Sequence, residues 1–563
     1  MMEITGETIV AKALKAEDIK CVFTLPSSEI LPILEKLMEE GVQVVTTRHE
    51  QAAGNAADGW ARVTRSPGVC VVPAGPGFAN LVPAIVQAFY AGSPVVAISG
   101  HSPYKYANMD AFEEINGVEI VSSVTKWAKQ CTFTERLHEY VQEAFRHATS
   151  GKMGPVLLEI PKDVLKGKCD AKRIKIVPPE KYRLKGRVYG DPALVKKAVD
   201  LLLSSEKPFI IAGSGVYWSG AWTELVKLAE LLSIPVACEG LAVGCIPYDH
   251  PLYVGNAIGN PFMRSADTLL VVGAKFDELL GFGRDPSFYS EDVKVIRIDV
   301  EPSEIGKNRP VDVGIVGDAK AVLTQILEFL AASLSSMSRE KGWSKEVKSA
   351  WLKFNESFEK MAESSEKPIR PQRLMKELRE LVDKDTICVL DGGDTTAWGY
   401  LYLRAYRPGQ IIGSQGPFGH LGAGIPMGIA AKLAYPDRKV FVITGDGSFL
   451  FNGSEIDTAV RYNVPIVVIV VNDSAWGMVY HTRFITSKSK EKAALFTLLN
   501  EKVRYDKYAE SLGAYGELVT EPDEIKPAIK RALESNLPAV VDVRVSREFV
   551  TPLSYILTAK REI

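Results

Sequence analysis

The sequence predicts three consecutive α/β domains, each built on a parallel sheet. Three observations carry that expectation. Short β-branched, apolar runs alternate with stretches of helical periodicity in the first, middle and last thirds of the chain, the pattern of βαβ units rather than of hairpins. The chain has 563 residues, more than one hydrophobic core can organise. Several apolar runs end in glycine turns with acidic or amide residues, and in open parallel sheets ligands bind beyond the carboxyl ends of the strands.

In the first third, residues 21–25, 42–46, 69–72 and 94–99 read as strands, with helices over 5–16, 28–40, up to Arg62, and 78–90. Glu50 lies at a strand-to-helix junction, ahead of the small residues Ala52 to Ala57. Such residues let backbone pack closely around a carboxyl group that can share a proton. The alternative is a glutamate favoured by the positive end of a helix. His101 is expected on a loop. Residues 162–190 are rich in Lys, Arg and Pro and read as a linker.

The middle third shows a strand and Gly turn at 208–215, a helix at 222–232, and strands at 235–238, 268–273 and 293–299. Its Gly-Ser-Gly at 213–215 is a weak nucleotide signal without the full dinucleotide-binding context. Residues 335–368 read as a linking helix.

In the last third, a strand at 386–390 ends in Asp391-Gly392-Gly393-Asp394-Thr395-Thr396, and the Gly-rich stretch 416–424 leads into a helix of small residues. The strand at 440–443 ends in Gly445-Asp446-Gly447-Ser448. A helix at 455–462 follows, then a strand at 464–471 ending in Asn472-Asp473. Asp446 and Asp473 would meet at the strand ends. Two oxygen ligands beside Gly-rich backbone and Ser448 suit a hard cation holding a diphosphate, since Mg²⁺ takes few protein carboxylates and bare backbone N–H groups cradle phosphate. The alternative is an ordinary βαβ unit with turn-favouring Asp and Gly. His481 and Arg483 are expected on a mobile loop.

Composition excludes several classes. With 46% hydrophobic and 24% charged residues and a net charge of −2, nothing favours nucleic acid or a membrane surface. No apolar stretch reaches the ~20 residues of a membrane span, and the N-terminus lacks a signal-peptide core. Seven scattered cysteines without a CxxC pair point to reduced thiols and a cytoplasmic protein.

The Gly445-Asp446-Gly447 and Asn472-Asp473 pair resembles the signature of thiamine diphosphate (ThDP)-dependent enzymes. Ala74 to Asn80, Asp110 to Glu114, Gly154 to Val164, Asp299 to Lys307 and Trp476 to Val479 resemble segments of the acetolactate synthase catalytic subunits. The chain is also similar to 2-hydroxyacyl-CoA lyases and benzaldehyde lyases, the latter through its Trp476-Gly477 pair. The resemblance implies a pyrimidine-binding domain at 1–170, a central FAD- or nucleotide-like domain at 185–335, a diphosphate-binding domain at 366–545 and a C-terminal tail at 546–563.

It implies that Glu50 bonds N1′ of the aminopyrimidine, and that Phe112, Glu113 and Lys162 line the substrate side, with Glu113 departing from the usual Gln. It implies Mg²⁺ ligands at Asp446, Asp473 and the Ala475 carbonyl. Cofactor contacts would come from Gly393, Asp394, Thr395, Thr396, His420, Gly445, Gly447, Ser448, Trp476, Gly477, Met478 and Val479, with Leu421 as the wedge under the bent cofactor. FAD or ADP would occupy the central domain, although Lys152-Met153, Leu279 and Tyr253 depart from the FAD-binding pattern. The implied reaction is decarboxylation of a 2-oxo acid and carboligation, turning two pyruvates into 2-acetolactate and CO₂ for branched-chain amino acid synthesis. The alternatives are a C–C lyase or ligase acting on acyl-CoA or aldehydes, and a non-catalytic scaffold. The resemblance further implies at least a homodimer, or a homotetramer, and admits a regulatory subunit.

Overall fold

The computed structural model describes residues 3–333, 342–413 and 418–558. The first residues of the expected linking helix, Gly416 and Pro417 of the Gly-rich stretch and the end of the tail lie outside the described residues.

Three six-stranded parallel sheets follow one another along the chain. The N-terminal sheet runs, edge to edge, Gln43–Thr46, Cys21–Thr24, Gly68–Val72, Val95–His101, Val156–Pro161, Trp127–Gln130. The C-terminal sheet runs Ile411–Gly413, Ile387–Asp391, Val440–Gly445, Val467–Asn472, Ala539–Arg544, Tyr515–Val519. Ranked by position in the chain, both have the order 2-1-3-4-6-5. The central sheet runs Tyr253–Asn256, Val236–Cys238, Pro208–Ala212, Thr268–Val272, Lys294–Asp299, Val313–Val316, the order 3-2-1-4-5-6.

The strands are apolar because both faces are covered: every residue of Val467–Asn472 is buried, as parallel sheets require. Register then sets the height of the strand ends. Asp391 pairs with Thr444, and Gly445 with Val471, so the turns after three neighbouring strands open at one level.

Helix Glu50–Thr64 of the N-terminal domain packs on helix Gly424–Ala434 of the C-terminal domain. Small residues permit this close approach: a Cβ on Gly59 would stand 2.6 Å from the Met427 Cα. Arg62 is fully buried there and ion-paired to Asp58 at 2.6 Å. Its guanidinium donates to the Gly413 carbonyl, and its own carbonyl accepts from the Tyr217 hydroxyl. One arginine thus joins all three domains.

Several expectations are corrected. His481 is buried within helix Gly477–Ser487 rather than on a loop, because its ring fills a polar socket described below. His101 ends a buried strand. Residues 162–190 are not only linker: they hold a helix turn, Lys162–Leu165, and a strand, Lys168–Asp170, that pairs antiparallel with Glu3–Thr5. The strands Tyr253–Asn256 and Val313–Val316 carry no clear sequence signal, being short and interrupted by glycine. The helix expected from residue 28 starts at Leu31, which leaves Glu29 in the turn after strand Cys21–Thr24. All seven cysteines are free thiols, and no described helix is long and apolar enough to cross a membrane.

Candidate functional site

The carboxyl edge of the C-terminal sheet opens into a cavity of about 480 Å³. It is lined by Gly393, Asp394, Thr395, Thr396, His420, Leu421, Gly445, Asp446, Gly447, Ser448, Asp473, Ala475, Trp476, Gly477, Met478 and Val479. These are all the residues of this domain expected to contact the cation or the cofactor, and the register explains their meeting.

The glycines are needed for space. Gly392 has φ +99°, and a Cβ on Gly447 would stand 2.8 Å from the Trp476 ring. A Cβ on Gly393 would lie 2.9 Å from Met478. Backbone is therefore exposed to the cavity where phosphate oxygens could reach it.

Asp446 is 3% exposed, and its Oδ2 has no hydrogen-bond partner. Burial first, and then the neighbouring Asp473, push its carboxyl well above the usual range. Asp473 is pushed up to about 6 by burial, while the nearby His481 pulls it back. A buried carboxylate and a half-buried one that raise each other's proton affinity favour a shared proton or a cation between them. Among the described residues no three His, Cys, Asp or Glu side chains converge on one point. A cation here would need backbone, phosphate and water oxygens to complete its shell, as Mg²⁺ does.

Asp391, read from the sequence as part of a polar strand end within reach of a diphosphate, instead positions this site. It is 1% exposed and accepts from the Gly422 and Gly424 N–H groups, both at 3.1 Å, and from the Thr444 hydroxyl. These bonds hold the segment bearing His420 and Leu421 against the strand end. Asp394 lines the cavity, but its carboxylate is already engaged. It accepts from the Thr551 and Ser554 hydroxyls at 2.8 and 2.9 Å and faces His481 Nδ1 at 2.5 Å. It therefore anchors the tail, whose Leu553 and Leu557 close one wall of the cavity. Nothing local in the sequence signals that link.

The N-terminal candidates lie elsewhere. Glu50 is the first residue of its helix, which His49 caps through the Gln51 N–H. Glu50 is 7% exposed, and its Oε2 accepts from Asn80 Nδ2 at 3.0 Å. Phe112 is 87% exposed. Glu113 and Lys162 follow strand ends of the N-terminal sheet. None of these four lines the C-terminal cavity. The candidate residues thus fall into two groups, on the carboxyl edges of two sheets of the same topology.

The N-terminal TPP binding domain of thiamine pyrophosphate enzymes matches residues 4–120, their central domain 195–326, and their C-terminal TPP binding domain 391–543. The chain belongs to the thiamine pyrophosphate enzyme family. It is 36% identical to a probable acetolactate synthase large subunit of Methanocaldococcus jannaschii, over 97% of this chain and 93% of that protein. It is 35% identical to an acetolactate synthase large subunit of Mycobacterium tuberculosis, covering 95% and 94% of the two chains. It is 30% identical to the acetolactate synthase isozyme 3 large subunit of Escherichia coli, covering 98% and 97%.

The C-terminal cavity suits the cofactor of this family. Glycine backbone, the acids Asp446 and Asp473, and the bulky Leu421 and Trp476 all line it. The central domain has a second cavity, of about 370 Å³, at the switch point between Pro208–Ala212 and Thr268–Val272. Backbone is bare here too: a Cβ on Gly215 would stand 2.7 Å from the Gly273 Cα. Lys152 and Lys275 supply positive charge and Asp299 an acceptor, while Arg187 and Asp318 are ion-paired at 2.6 Å. Glu239 and Asp277 line both cavities, which therefore adjoin. Burial and the neighbouring Asp277 push the Glu239 carboxyl up to about 8.

Proposed function

We propose that the protein is a ThDP- and Mg²⁺-dependent acetolactate synthase catalytic subunit, converting two pyruvates and one proton into 2-acetolactate and CO₂. The single observation that carries this reading is the meeting of buried Asp446 and half-buried Asp473 in one cavity with the glycine turns 392–393 and 445–447. The relatives' names, over nearly the full length of each chain, support the choice of reaction.

Asp446, Asp473 and the Ala475 carbonyl hold the cation. Gly393, Thr395, Thr396, Gly445, Gly447 and Ser448 receive the diphosphate. His420, Leu421 and Trp476 to Val479 enclose the rings. ThDP, when bound, supplies a carbon nucleophile and the electron sink that a 2-oxo acid needs to lose CO₂.

Glu50 holds and returns a proton at N1′, work of a kind typically worth about 10²–10⁴-fold. It does not reach the cavity of its own chain, so a second copy supplies it and a homodimer is the smallest active unit. Phe112, Glu113 and Lys162 come with it and face the substrate. The central cavity takes an adenine nucleotide, as ADP or as part of FAD. The naming of relatives as large subunits supports a small regulatory partner, and the free thiols support a cytoplasmic protein.

The test is product identification. Protein given pyruvate, ThDP and Mg²⁺, with and without FAD, should release CO₂ and form 2-acetolactate. Acyl-CoA or acyloin cleavage without pyruvate turnover would replace this reading with a lyase.

A further inference from the structure

The carboxyl edge of the N-terminal sheet holds a charge arrangement that carboligation by itself does not require. Glu29 follows strand Cys21–Thr24, Gly75 follows Gly68–Val72, Glu113 lies in the loop after Val95–His101, and Lys162 directly follows Val156–Pro161. These four strands are parallel neighbours, so the four residues meet at one edge.

Contacts fix the meeting. Glu29 Oε1 accepts from the Ala74 N–H at 3.2 Å. The next residue, Gly75, makes room for Glu113: a Cβ there would stand 2.7 Å from the Glu113 Cβ. Glu113 itself has φ +63°, a left-handed conformation that side chains rarely adopt. The start of its loop is tied down by Asp163, which accepts from the Tyr104 and Lys105 N–H groups at 2.8 and 3.2 Å. That sets the adjoining Lys162 at the base of the same loop. Burial and the Glu29 charge raise the Glu113 carboxyl above its usual range, and Lys162 draws it back. Two carboxylates therefore bear on the surroundings of a single ammonium group.

A carboligating site must tell two acceptor classes apart. One is a second 2-oxo acid, which carries a carboxylate. The other is an aldehyde, which carries no charge. One ammonium alone would draw in the first class. A pair of acids beside it offsets that attraction and leaves like charges facing the incoming carboxylate. We propose that Glu29 and Glu113 act together as selectivity residues, shifting acceptor choice from a second 2-oxo acid toward uncharged aldehydes. This rests on the carboligation reading above and adds Glu29, which the sequence left within a helix.

Competition tests it. The holoenzyme with ThDP and Mg²⁺ is given pyruvate and an equal concentration of propanal. Pyruvate as acceptor gives 2-acetolactate. Propanal as acceptor gives a five-carbon hydroxyketone, one pyruvate, one propanal and one proton yielding one hydroxyketone and one CO₂. The readout is the ratio of the two products, which does not depend on how much of each variant is folded. Glu113→Gln and Glu29→Gln keep side-chain size and remove charge. Each should raise the ratio of 2-acetolactate to hydroxyketone by about three- to tenfold, the range of a modest like-charge contact. A ratio unchanged in both variants, or moved toward the hydroxyketone, while CO₂ release continues would overturn the proposal alone. Loss of all turnover in both variants would also overturn it, by placing the acids in the chemistry itself. No CO₂ from pyruvate with the unaltered enzyme would overturn the carboligation reading, and this proposal with it.

Discussion

The first and last domains are built on sheets of one topology, yet their carboxyl edges differ in kind. In the C-terminal domain the strands end in glycines, Asp446 and Asp473 share one cavity, and the tail closes one wall through Asp394, Thr551 and Ser554. In the N-terminal domain the strands end in Glu29, Glu50, Glu113 and Lys162, and the loop between residues 103 and 116 leaves Phe112 standing in solvent. The shared sheet decides where a ligand can sit. The turn residues decide whether that place is a closed cradle or an open charged face. An open face needs something to close on, and the cradle of a second copy is what the proposed function supplies.

The sharpest way to break this comparison is to remove the buried acid. Asp446→Ala should reduce turnover to background, beyond the ~100-fold that even an indirect partner of a metal contributes. In thermal melts, ThDP with Mg²⁺ should stabilise the unaltered protein and fail to stabilise this variant. Retained stabilisation would show that the cradle works without its acid pair.

The open face is probed by Glu50→Gln. This variant should keep its fold and its ThDP-dependent rise in melting temperature while turnover falls about 10²–10⁴-fold. Loss of cofactor binding together with turnover would make the two faces alike in function, contrary to the division drawn here.

The smallest effect tests the seam between the two domains. His420 Nε2 faces Asn55 Oδ1 at 3.1 Å across it, and burial holds the imidazole down to about 4 from its ordinary 6.5. As pH falls, the unfolded chain takes up this proton before the folded one, so the folded state loses stability between pH 6.5 and about 4. The loss is at most about 3 kcal/mol. The cofactor-free His420→Gln variant should show a flatter melting-temperature profile in that window. An unchanged slope would mean that other groups carry the acid sensitivity.

Much of the fold was legible because period and punctuation agree locally. The run Val467–Asn472 and the Gly445-Asp446-Gly447 turn announce a covered strand and a bare cradle within a few residues. What escaped depends on distant partners. His481 reads as a loop residue until Asp394 and the Arg547 carbonyl, to which it bonds at 2.8 Å, are brought to it by the fold. Asp391 looks like a cradle residue, and only the N–H groups of Gly422 and Gly424 reveal it as a clamp. Glu29 fits helical spacing, and the Ala74 N–H, 45 positions away, takes it out of the helix. The strands Tyr253–Asn256 and Val313–Val316 are four residues each, too short to establish a period.

The small ribbon joining Glu3–Thr5 to Lys168–Asp170 means that the chain enters and leaves the N-terminal domain at adjacent points. A unit with neighbouring ends can be exchanged for a homologous one without rerouting the rest of the polypeptide. Chimaeras joined at this ribbon would transplant the glutamate-bearing face as a cassette, giving recombination a way to change what is joined while keeping what holds the coenzyme.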